Sequence, residues 1–108
     1  MDFVLDNDVF SIKMNIARAL DKVVTFYPPG ILDIKVFKTP SEEDSFWIVE
    51  VRNTEVPDSL LQIEVFDDNG VPKCCVTKKL NIGRRSMFKF MNDFVDALEE
   101  SYSSETTS

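Results

Sequence analysis

Between residues 60 and 80 the chain reads LLQIEVFDDNGVPKCCVTKKL, and the Asn69-Gly70 pair at its centre constrains the fold more than any other feature. Asn-Gly tolerates positive φ at both positions of a two-residue turn, and extended runs flank it on each side, so the stretch predicts a β-hairpin. A turn of that length also sets the register. It predicts Phe66 opposite Lys73, Val65 opposite Cys74, Ile63 opposite Val76 and Gln62 opposite Thr77. Strand alternation then puts Leu61, Ile63 and Val65 on one face with Cys74, Val76 and Leu80, while Gln62, Glu64, Thr77 and Lys79 point away.

The segments before the hairpin supply two more strands. Residues 31–38 alternate, with Leu32, Ile34 and Val36 inward and Ile31, Asp33, Lys35 and Phe37 outward. Residues 46–52 repeat the pattern with Trp47, Val49 and Val51 inward. Loops at 39–45, containing Pro40, and at 53–59, containing Pro57, separate the runs. Four strands joined by short loops predict an antiparallel meander.

A helical period is expected over residues 9–26, where Ile12, Ile16, Leu20 and Val23 form a stripe against a polar face of Lys13, Asn15, Arg18, Asp21 and Lys22. Asp8 is the expected cap and Tyr27-Pro28-Pro29-Gly30 the stop, with residues 1–8 either a lead-in or an edge strand. A second helix, capped by Asn81 or Ser86, is expected to run to about Tyr102. Its stripe is Met87, Met91, Phe94 and Leu98, widened by Phe88 and Val95. The fold class is therefore α+β: a four-stranded antiparallel β-meander with N- and C-terminal helices packed on one face, in the order α-β-β-β-β-α. Residues 1–100 form a single domain and 101–108 a disordered polar tail.

Several function classes lose ground on composition. With no histidine, the commonest general base and metal ligand is missing. Cys74 and Cys75 are adjacent on a strand and face opposite ways, which rules out an ordinary disulfide framework between them and suits a reducing compartment. MDFVLDNDVF carries neither the basic region nor the apolar run of a signal peptide, and no run approaches the ~20 apolar residues of a membrane span. A cytoplasmic protein without membrane contact is expected. DDNG suggests a calcium loop, but aligning Gly70 with the sixth position puts Val65 first and Val76 last, where carboxylates are required. No catalytic, metal or cofactor motif remains, and the protein is expected not to be an enzyme.

Charge is informative in its distribution. The net −7 divides into a block at 39–72 with nine acids against Arg52 alone, and a block at 73–92 with six bases and no acid. The overall acidity argues against direct nucleic-acid binding. On the sheet face away from the helices, Phe37, Phe46, Ile48 and Phe66 gather near one end, rimmed by Glu42, Glu43, Asp44, Asp67 and Asp68. An apolar patch with a charged rim has the anatomy of a protein-binding surface. Two other fates for these rings are a cover formed by residues 3–10 and a homodimer seam. A second, basic patch comprises Lys78, Lys79, Arg84, Arg85 and Lys89. Its arginines, placed at the start of the second helix, oppose the helix dipole.

The leading functional expectation is a non-catalytic, acidic interaction module. It would act as an inhibitor or regulator, docking on a basic surface of a partner such as a nucleic-acid-binding protein and so mimicking nucleic acid. The alternatives are a dimeric chaperone or assembly factor, and a metal binder or enzyme using the clustered carboxylates.

Overall fold

The computed structural model describes residues 2–39 and 46–107, with side chains for residues 12–39 and 46–103. Six elements follow one another: α1 (Asp2–Val24), β1 (Leu32–Lys38), β2 (Trp47–Asn53), β3 (Leu60–Asp68), β4 (Val71–Leu80) and α2 (Arg84–Thr107). The strands form one antiparallel sheet in the order β1-β2-β3-β4, so the chain is an α+β domain with a meander between two helices.

The hairpin follows from its turn. Asn69 and Gly70 adopt φ of 55° and 84°, and the Asp67 carboxylate accepts a hydrogen bond from the Gly70 amide at 2.6 Å. Phe66 faces Lys73, Val65 faces Cys74 and Ile63 faces Val76, as the two-residue turn requires. Beyond Ile63 the pairing slips: Gln62 faces Lys78, not Thr77, leaving Thr77 as an extra residue in β4. The Thr77 hydroxyl instead donates to the Gln62 carbonyl at 3.2 Å. This bulge reverses the alternation of the last residues of β4. Lys79 now pairs with Leu61, and Leu80 with Leu60, so the expected inward Leu80 turns to the outer face and is half exposed.

The inward residues of the two central strands, Trp47, Val49, Val51, Leu61, Ile63 and Val65, share one core with Ile16, Ala19, Leu20 and Val23 of α1 and Phe90, Phe94, Ala97 and Leu98 of α2. Both helices therefore lie on one face of the sheet. The larger side chains of this core, all but Ala19 and Ala97, stabilise the fold by ~1.5–3 kcal/mol each and make it the main source of stability.

Several helical expectations need correction. α1 begins at Asp2, placing Asp8 inside the helix. Residues 2–11 contain no glycine or proline to stop it. Asn15 is not on the polar face: it is 1% exposed and accepts a hydrogen bond from Ser101 of α2, because α2 packs along that flank. In α2 the cap is Gly83, whose carbonyl receives the Met87 amide at 2.9 Å. Asn81 sits at φ 52° and donates its side-chain amide to the Asp58 carbonyl. Phe90 takes the core position that the expected stripe assigned towards Phe88, and Phe88 is 53% exposed. The helix continues past Tyr102 to Thr107, so residues 101–107 are helical where a tail was expected.

Candidate functional site

The face of the sheet opposite the helices carries no packed element among the described residues. α1 is one continuous helix whose residues 12–24 lie over the inner face, so residues 3–10 extend that axis and do not turn back across the outer one. Cross-strand partners share a face, which divides the outer surface into rows perpendicular to the strands.

Nearest the Asn69-Gly70 turn, Phe46 lies beside Phe66, which in turn faces Lys73. The two phenyl rings meet edge to face, with centroids 5.4 Å apart and planes at 71°. Thr39 closes the row, its amide donating to the Phe46 carbonyl at 2.9 Å. The next row runs Phe37, Ile48, Glu64, Cys75. Phe37 is 43% exposed on the edge strand. Ile48 differs from expectation: its side is the outer one, but its neighbours leave it only 7% exposed, so it supports the patch from below and offers little surface itself.

The structure thus brings Phe37, Phe46, Ile48 and Phe66 together at one end of the outer face. The rim is thinner than expected. Asp68 shares the outer face with Phe66, whereas Asp67 alternates to the inner side and spends one carboxylate oxygen on the Gly70 amide. Glu42, Glu43 and Asp44 lie outside the described residues. Glu64 stands beside Ile48, and Lys73 borders Phe66.

The other half of the outer face is polar and was not singled out from the sequence. Lys35 faces Glu50, and Asp33 faces Arg52. Arg52 in turn binds the Glu50 carboxylate at 3.0 Å. The signal was present as alternating signs at 33, 35, 50 and 52, two residues apart within each strand.

The basic patch does not act as one group. Lys78 faces Gln62 on the outer side, and Lys79 falls to the inner side after the bulge. Arg84 and Arg85 open α2, against its dipole. Lys89 is engaged, 3.3 Å from Asp93 and stacked 4.8 Å over the Tyr27 ring. Among the described residues, the other four make no ion pair.

Cys75 is exposed on the outer face, while Cys74 points inward, where burial, with a smaller push from the Glu99 carboxylate, raises its thiol to about 11. Among the described residues no three His, Cys, Asp or Glu side chains converge to hold a metal ion. No described helix is long and apolar enough to cross a membrane. No protein-family model matches the chain, and no curated protein or solved structure is significantly similar to it.

Proposed function

We propose that this domain is a non-catalytic binding module that docks a protein partner with a basic surface on the aromatic end of its outer sheet face. The observation that carries the reading is the Phe46–Phe66 edge-to-face pair beside the exposed Phe37, on a face that no described element covers. Three phenyl rings at an open surface cost solubility without adding to the main core, and clustered aromatics are the residues from which interfaces draw most of their affinity. Asp68 and Glu64 flank the rings, and residues 40–45, which join Thr39 to Phe46 in the chain, contribute Glu42, Glu43 and Asp44 by sequence. Asp68 and Glu64, beside the rings, would select a basic partner and speed its approach. A nucleic-acid-binding protein fits, because its cationic surface evolved to meet anions, and the domain would then inhibit or regulate it.

The test is affinity capture from the native cell with the wild-type chain, followed by binding measurements on the captured protein. Phe37→Ser and Phe66→Ser should each weaken binding at least tenfold, and added salt should slow association. Retention of full affinity by both variants, with the fold intact, would refute the site.

A further inference from the structure

The two edges of the sheet are treated differently. β4 is guarded: Pro72 removes an amide, the bulge at Thr77 breaks the ladder, and Lys73, Lys78 and Lys79 line it. Those are the devices by which sheets avoid adding a strand. β1 has none of its proline or bulge. It pairs with β2 without interruption over seven residues. Its inner side is also incompletely covered, since Val36 points towards the core yet is 36% exposed, and Leu32 and Ile34 are only partly buried.

The open backbone groups can be assigned. The Thr39 amide donates to the Phe46 carbonyl, and the Ile31 carbonyl accepts from the Thr54 amide, at 2.9 and 2.8 Å. Odd-numbered residues of this segment therefore address β2, and Leu32, Ile34 and Val36 direct their amides and carbonyls to the free edge.

We propose that a second copy of this chain docks along that edge, antiparallel, with Ile34 opposite the partner's Ile34. In this register Leu32 meets the partner's Val36 on the inner side, and each of these facing pairs exchanges two backbone hydrogen bonds. On the outer side Asp33 meets the partner's Lys35, and Lys35 meets the partner's Asp33. Ile31 falls opposite the partner's Phe37. Neither Asp33 nor Lys35 has an ion-pair partner within the chain among the described residues. Moving the centre to Lys35 would set lysine against lysine, and moving it to Asp33 would set aspartate against aspartate. A shift by a single residue would turn apolar side chains to the wrong face. The strand is thus self-complementary in one register, which is what an isologous contact requires. The result is an eight-stranded sheet with all four helices on one side.

The experiment is light scattering over a range of concentrations on the full chain and three samples derived from it. Wild type should reach twice the 12.4 kDa chain mass. Asp33→Lys places a lysine opposite the partner's Lys35 at two symmetric sites, and Lys35→Asp does the same with carboxylates, so each alone should weaken the dimer about tenfold or more. Mixing the two variants restores opposite charges at both sites and should recover a mixed dimer, visible by native mass spectrometry. Circular dichroism establishes that each variant is folded. A monomeric wild type, undiminished dimers in both single variants, or no association in the mixture would each overturn the proposal. Of the docking surface only Phe37 lies on β1, and none of these substitutions touches Phe46 or Phe66, so if the dimer fails, partner binding by Phe66→Ser still tests that surface separately.

Discussion

The Phe46–Phe66 pair allows the outer face to be tested for structure before any partner is known. Phe46→Ala, Phe66→Ala and the double variant form a thermodynamic cycle read by urea unfolding, with the single tryptophan, Trp47, as fluorescent probe. Fully buried phenylalanines cost ~3–5 kcal/mol on truncation to alanine. These two rings are half-buried, so each single change should cost roughly half that, about 1.5–2.5 kcal/mol. Their geometry, 5.4 Å and 71°, falls in the favourable edge-to-face range, worth ~0.5–1.5 kcal/mol beyond buried area. The double variant should therefore lose less than the sum of the singles by that amount. A domain of this size holds roughly 5–15 kcal/mol, so it stays folded throughout. Additivity within ~0.3 kcal/mol would mean the rings do not touch. Phe37→Ser provides the contrast: on an exposed edge it should cost under ~1 kcal/mol. A loss above ~2 kcal/mol there would show a ring that the core depends on, and the argument for a docking surface would fail.

Asn15→Ala should destabilise the chain by ~1–3 kcal/mol in the same urea assay, because it removes the acceptor of the Ser101 hydroxyl at the buried α1–α2 seam. In native protein at neutral pH a chromogenic disulfide should titrate one fast thiol, Cys75, and leave Cys74 unreacted until unfolding, since burial holds the Cys74 thiol up to about 11. The same shift makes stability depend on pH. Cys74 favours the folded state fully below its ordinary value of 9.0, and that contribution is lost as pH rises from 9.0 through about 11. The urea midpoint of wild type should therefore fall relative to that of Cys74→Val over that window, and a constant difference would refute the assignment.

Where alternation and turn chemistry acted together, the fold was legible in the sequence. Asn69-Gly70 set the hairpin register, and the inward series Leu61, Ile63, Val65 and Trp47, Val49, Val51 followed from parity alone. The misplaced residues share a cause, which is tertiary context that no local pattern encodes. The bulge at Thr77 inserts one residue without a glycine to announce it, and everything after it changes face. Asn15 looks polar and solvent-facing until a second helix, distant in the chain, supplies Ser101. Phe88 and Phe90 both fit a broad stripe, and only the seat against Tyr27 and Phe94 selects Phe90. The candidate surface was legible as a set of outward aromatics, whereas its relief was not. That Ile48 sinks beneath its neighbours depends on the strands on either side of it, whereas the bond from the Gly70 amide to the Asp67 carboxylate is local to the turn, three residues on.

Charge distribution adds a reason for β1 to be the edge that pairs. The β3–β4 hairpin carries Asp67 and Asp68 at its turn and Lys78 and Lys79 at the far end of β4, with Arg84 and Arg85 just beyond at the start of α2, so it is electrically bipolar along its strands. Acidic end against basic end is a heterologous contact; repeated, it does not close and would build open chains. Antiparallel pairing through β1 sets each acidic end beside the partner's basic end, so the two dipoles oppose and the set closes at two. The same two-fold places the two Phe46–Phe66 clusters on one continuous outer face at opposite ends of the sheet. A partner with two basic sites would engage both clusters at once, and the gain from linkage would exceed either single affinity only where its spacing matched. Asp33→Lys would then lower apparent affinity for a two-site partner while leaving affinity for a one-site fragment unchanged, which separates the dimer's contribution to binding from that of the rings.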